Sequence, residues 1–173
     1  MNIRDISQRF RRDRGQALIE FILVLPMIFL LIVNLVNFGG FFYAWITVAN
    51  AARAGANYAI EGPSSVSGPS ATLTAPTVSQ ITGVIQNDMA GLPNLASLSI
   101  DICQNKNGTV TTISGTCTSV PSDPEPTTYI LTAVDVTYTY SPFIPVFSFP
   151  SLGVYLTIPP TTVYQRAEMR QIL

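Results

Sequence analysis

The chain has 173 residues, 47% of them hydrophobic and only 11% charged, with no histidine, two cysteines and a net charge of −1. Without histidine, and with Lys106 as its single lysine, it lacks the base that common nucleophile arrangements need, and two cysteines do not make a tetrahedral zinc site; no catalytic residue, metal or cofactor is expected. After Gly15 the chain holds four basic and eight acidic residues, so the basic patch that phosphate binding requires is absent and nucleic acid is excluded as a partner.

Residues 1–15 form a basic leader, with Arg4, Arg9, Arg11, Arg12 and Arg14 against Asp5 and Asp13. The positive-inside rule keeps such a segment cytoplasmic and sends the chain beyond the span to the far side. From Ala17 to Phe42 the chain is almost wholly apolar, long enough to cross, since about 20 helical residues at 1.5 Å each match a hydrocarbon core of about 30 Å. Glu20 is the one formal charge inside it. An intramembrane carboxylate is costly and therefore reads as functional, with a partner to be found. Tyr43 and Trp45 mark an outer interface near Phe42. Helical periodicity continues beyond it through Ala44, Val48, Ala51, Ala52, Gly55, Ala56 and Ala59 until Gly62-Pro63, which predicts one helix over 16–60 with a small-residue outer half suited to close packing. Pro26 removes one backbone donor within it and is expected to bend it locally. A cleaved secretory signal at Ala49-Asn50-Ala51 fits poorly, because the apolar run is longer than a signal peptide's and lies well before that site. Twin-arginine export through Arg11-Arg12 is a weak match.

Residues 61–76, dense in Ser, Thr, Gly and Pro, read as a linker, and 77–173 as one small exported domain. Thr77 precedes a helix-period stripe at Val78, Ile81, Val84, Ile85 and Met89, ended by Gly91-Leu92-Pro93. Leu98, Ile100 and Ile102 alternate with polar residues, as does Tyr129 to Tyr140; both predict half-buried antiparallel strands. Gly153–Ile158 and Thr161–Met169 suggest a final strand pair, with Pro159-Pro160 as a break or an edge. Asp88, Asp101, Asp123, Glu125 and Asp135 are expected as solvated surface groups, Asp135 on the polar face of its strand. Cys103 and Cys117 bracket a polar stretch with the composition of a loop. On an exported domain they are expected to form a disulfide, which for a loop of about 15 residues contributes on the order of 3 kcal/mol. In the Pro-punctuated stretch Pro142 to Leu152, the rings of Phe143, Phe147 and Phe149 are expected either to cap the sheet's core or to dip into the outer leaflet; the sharper alternative is a docking patch for a sister subunit. The predicted fold class is α+β: a long N-terminal transmembrane helix continuing into a small exported domain with a short helix and an antiparallel sheet.

The stretch Arg14-Gly15-Gln16-Ala17-Leu18-Ile19-Glu20-Phe21 resembles a prepilin peptidase site, with glycine before the cut and glutamate fifth in the mature chain. Together with Pro26, Asn50-Ala51-Ala52-Arg53-Ala54-Gly55-Ala56, the strand from Val134 to Tyr140 followed by Pro142, and Ala167-Glu168-Met169-Arg170, it resembles TadE-like pseudopilins of the tight-adherence (Flp-type) pilus system. About Glu61 to Pro126 is unmatched. The resemblance implies a pilin-like plan, cleavage between Gly15 and Gln16, and pairing of Glu20 with a neighbouring subunit. It further implies residence in the inner membrane with the domain extracytoplasmic, or in the pilus itself. Its implied partners are the membrane, other pilins or pseudopilins, the prepilin peptidase and the inner-membrane pilus assembly platform. The competing reading is a membrane-anchored extracytoplasmic binding module on an uncleaved anchor.

Overall fold

A computed structural model of the protein describes residues 3–61, 76–106, 108–117, 129–144, 148–149 and 154–172. Helix α1 runs over Ile3–Glu61 and contains Pro26 without ending there. After it come α2 (Val78–Asp88), a short 3-10 turn (Leu95–Ser97) and six strands: β1 (Ser99–Lys106), β2 (Thr109–Ser114), β3 (Tyr129–Tyr140), β4 (Ser148–Phe149), β5 (Val154–Tyr155) and β6 (Thr161–Ile172). The α+β class expected from the sequence is borne out. The linker stretch lies, but for its two ends, outside the described residues. The chain divides into two compact units, Met1–Gly40 with Pro142–Pro159 and Phe41–Ser141 with Pro160–Leu173.

The second unit is built on an antiparallel sheet of order β2-β1-β3-β6. Strand alternation turns Val134, Val136, Tyr138 and Tyr140 of β3 to one face, where register aligns Val134 with Ile102 of β1 and Ala167 of β6, and Tyr138 with Val163. These side chains share one core with Ala44, Val48, Ala51, Ala52, Ala56 and Ala59 of α1 and with Ile81, Ile85 and Met89 of α2. The small-residue stripe of α1 thus does what its composition suggests: without bulky side chains the helix comes close to a neighbour, and each large side chain buried there contributes roughly 1.5–3 kcal/mol. Gly55 marks the closest approach, since a Cβ there would lie 2.6 Å from Cδ1 of Ile85. Helix α2 starts after Thr77, as its sequence implies, with the Thr77 amide donating to Oε1 of Gln80 at 2.9 Å. The buried Tyr138 donates its phenol proton to the Pro93 carbonyl, and the Tyr140 ring meets Phe41 edge-on at 5.7 Å. Burial, and secondarily the neighbouring Tyr140, pushes the Tyr138 phenol above its ordinary pKa.

Four expectations need correction. The polar stretch between the cysteines is not a loop: β1 extends to Lys106 and turns through Gly108, at φ +79°, into β2. Asn-Gly at the two-residue connection is the usual sequence for such a hairpin. Thr161–Ile172 does not pair with the 153–158 stretch but lies along the whole of β3, while Val154–Tyr155 pairs with Ser148–Phe149. β3 is not half-buried, because every residue from Leu131 to Val136 is buried. Asp135 is not a solvated group. It is 5% exposed and lies opposite Arg166 in the β3–β6 register, where Nε and Nη2 of the guanidinium donate to its two carboxylate oxygens at 2.5 Å each. That charge-assisted fork is what allows a carboxylate on a covered sheet face.

The first unit contains the inner part of α1. From Leu18 to Phe29 its apolar side chains are exposed all round rather than along one stripe. A helix apolar on every side has no water-facing surface, which is the pattern of a membrane span. Gln16–Glu61 is the one helix among the described residues long and apolar enough to cross a membrane, which fits a single-pass membrane protein.

Candidate functional site on the N-terminal helix

Gly15, Gln16 and Glu20 all lie within the continuous α1. Glycine in a helix interior is less favourable than alanine by about 1 kcal/mol, so Gly15 is a point where the helix opens at low cost. Gln16 and Glu20 are four residues apart and share a helix face. Both are exposed, as are Leu18, Ile19 and Phe21 around them. Among the described residues no ion pair involves Glu20. A carboxylate so placed, on an apolar surface and without an internal partner among those residues, is available to a group on another molecule.

Farther along the same helix are two residues that sequence reasoning passed over. Asn34 and Asn37 are the only side-chain amides between Ala17 and Phe42, and their isolation among apolar neighbours was the available signal, because polar groups at membrane depth are costly and seek partners. Asn37 is fully buried. Its Nδ2 donates to the Ile144 carbonyl at 3.0 Å and its Oδ1 accepts from the Ile144 amide at 3.1 Å, so one side chain satisfies both backbone groups of one residue. Asn34 donates to Leu30 O within its own helix at 2.9 Å and to the Leu156 carbonyl at 3.1 Å.

Of the three phenylalanines expected to act together, Phe143 is 52% exposed, Phe147 lies outside the described residues, and Phe149 is described only as part of β4. The segment that carries them belongs to the unit containing the N-terminal part of α1, not to the sheet unit.

Cys103 and Cys117 form the expected disulfide. Cys103 faces away from the helices, opposite in direction to Ile102 and aligned with Ala133, so the bridge ties the end of β2 to the second face of the sheet. On that face Tyr164 has its phenol pKa raised by burial first and then by its hydrogen bond to Asp135, and the hydrogen bond to Asp135 raises the Arg166 guanidinium above its already high value. Among the described residues no group of three or more His, Cys, Asp or Glu side chains is placed to hold a metal ion.

Residues 15–57 match the family model described as TadE-like protein. No curated protein and no solved structure matches the chain. The matched stretch begins at Gly15, takes in Glu20, Pro26 and the small-residue stripe, and stops within α1. Residues 15–57 of the N-terminal helix are thus the stretch that is similar to TadE-like proteins, and the match supports involvement in a tight-adherence pilus system.

Proposed function

We propose that this protein is a non-enzymatic pseudopilin that takes part in assembling or anchoring a tight-adherence pilus, and that a prepilin peptidase removes Met1–Gly15 on the cytoplasmic side of the inner membrane. The observation that carries the reading is the exposed stretch Gln16–Glu20, directly after Gly15, at the head of an all-round apolar helix and inside the segment that matches the TadE-like family. Cleavage would free the amine of Gln16 one helical turn before Glu20. Opposite charges on neighbouring subunits, each uncomfortable alone in a low-dielectric setting, offset part of one another's desolvation and set the axial register of adjacent helices. The exported domain, with its disulfide and its sheet packed on the helices by one face, serves as the part that meets other pilins and the assembly platform.

Intact-mass measurement on protein from the native host tests the processing step. The expected mature chain begins at Gln16 when the peptidase is present and at the initiator end when it is deleted. A chain that keeps Met1–Gly15 in the wild-type host would favour a membrane-anchored binding module on an uncleaved anchor.

A further inference from the structure

We propose that the described residues 142–144, 148–149 and 154–159 contact the membrane as a second element, lowered into the outer leaflet and fastened to the spanning helix at Ile144 by Asn37 and at Leu156 by Asn34. The inference rests on α1 crossing the membrane with its outer end near Phe42. At 1.5 Å per residue, Asn37 and Asn34 then lie roughly 8 and 12 Å inward of that end, within the outer half of a hydrocarbon core of about 30 Å. Backbone hydrogen-bonded to these two side chains lies at the same depth.

Non-helical backbone at membrane depth persists only where its polar groups are satisfied. Here Asn37 takes both the amide and the carbonyl of Ile144, Asn34 takes the Leu156 carbonyl, and β4 and β5 pair with each other at Ser148↔Tyr155 and Phe149↔Val154. Pro142, Pro145, Pro150 and Pro159 bring no amide donor that would need a partner. The stretch 142–159 contains no charged residue. Its described side chains Phe143, Ile144 and Leu156 are 52%, 37% and 43% exposed, and in the same unit Leu35 and Phe38 of the span are 68% and 48% exposed. Apolar side chains on both partners of the fastening therefore need one solvent, and the span already requires it to be lipid.

Depth-resolved fluorescence quenching tests this on the full chain in phosphatidylcholine–phosphatidylglycerol vesicles whose acyl chains carry bromine. Trp45 is the single native tryptophan, so Trp45→Phe makes a silent background. On it, Phe143→Trp and Leu156→Trp should be quenched by acyl-chain bromine and protected from aqueous acrylamide, as should the span reporter Phe29→Trp. Adding Asn37→Ala should remove the quenching at Phe143→Trp and leave that at Phe29→Trp. If Phe29→Trp is quenched while Phe143→Trp is open to acrylamide, the span stands and the inference is overturned. Protection of Phe143→Trp from both quenchers would place it against protein, a second copy or a sister subunit, and equally overturns it. Unchanged quenching with Asn37→Ala removes the fastening role, and absence of quenching at Phe29→Trp overturns the span and the inference with it.

Discussion

Gly55 shows how narrow the tolerance is where α1 meets α2. A methyl group there would stand 2.6 and 2.7 Å from Cδ1 and Cγ1 of Ile85, a β-branched residue that is itself fully buried. Replacing glycine by alanine favours the helix by about 1 kcal/mol, but overpacking a closed core costs about 1–3 kcal/mol. Gly55→Ala is therefore expected to lower stability by about 1 kcal/mol, and Gly55→Leu to lower it by several times as much, as read from denaturation of the protein in detergent micelles. Gly39→Ala is the contrast, because nothing lies within 4 Å of the added carbon and only the helix preference acts. Gly39→Ala should therefore gain stability, and an equal gain at both positions would show that backbone freedom, not the approach to Ile85, governs Gly55. The Asp135–Arg166 fork carries the opposite lesson about legibility. Alternation puts Asp135 on the polar face of β3, correctly, but its burial depends on a guanidinium 31 positions later, and nothing local announces that.

Within the four-stranded sheet β2 is an edge with little to hold it: all but one of its residues are exposed, and among the described residues it pairs with β1 alone. The Cys103–Cys117 bridge closes a separation of 14 residues around it, which in the chain-entropy account contributes about 3 kcal/mol. Reduction is expected to accelerate amide exchange at Thr109–Ser114 while β3, buried and paired on both sides, keeps its protection. Loss of protection in β3 as well would mean that the bridge supports the whole sheet. Strand β2 is illegible as a strand because an exposed strand leaves no alternation of apolar residues to read; only the Asn107-Gly108 turn signal points to it. β3 and α2 are legible for the converse reason, each having a long apolar stripe on the face that meets the core.

At the scale of the whole molecule, one helix carries both the stripe that joins the sheet core and the all-round apolar stretch with Glu20, and the proposed pairing would take Glu20 to a neighbouring subunit. Glu20→Gln keeps the shape and removes the charge. It is expected to be cleaved like the wild type, to leave the disulfide-bonded domain intact, and to lose piliation and crosslinking to neighbouring subunits. Normal cleavage with wild-type assembly would end the pairing mechanism; failed cleavage would mean that Glu20 marks the substrate for the peptidase. The amino-acid order by itself determined the apolar helix long enough to cross a membrane, the small-residue stripe, α2, β3, the disulfide and the TadE-like motif, because each depends on local periodicity, on a short spacing or on the presence of just two cysteines. Only the tertiary structure decided that β6 lies along β3, that Asp135 is buried, and that Asn37 bonds to the backbone of Ile144 and Asn34 to that of Leu156. Those outcomes join residues 21 to 122 positions apart, and a hydrogen bond between such groups depends on where the fold brings them, not on what stands beside them in the chain.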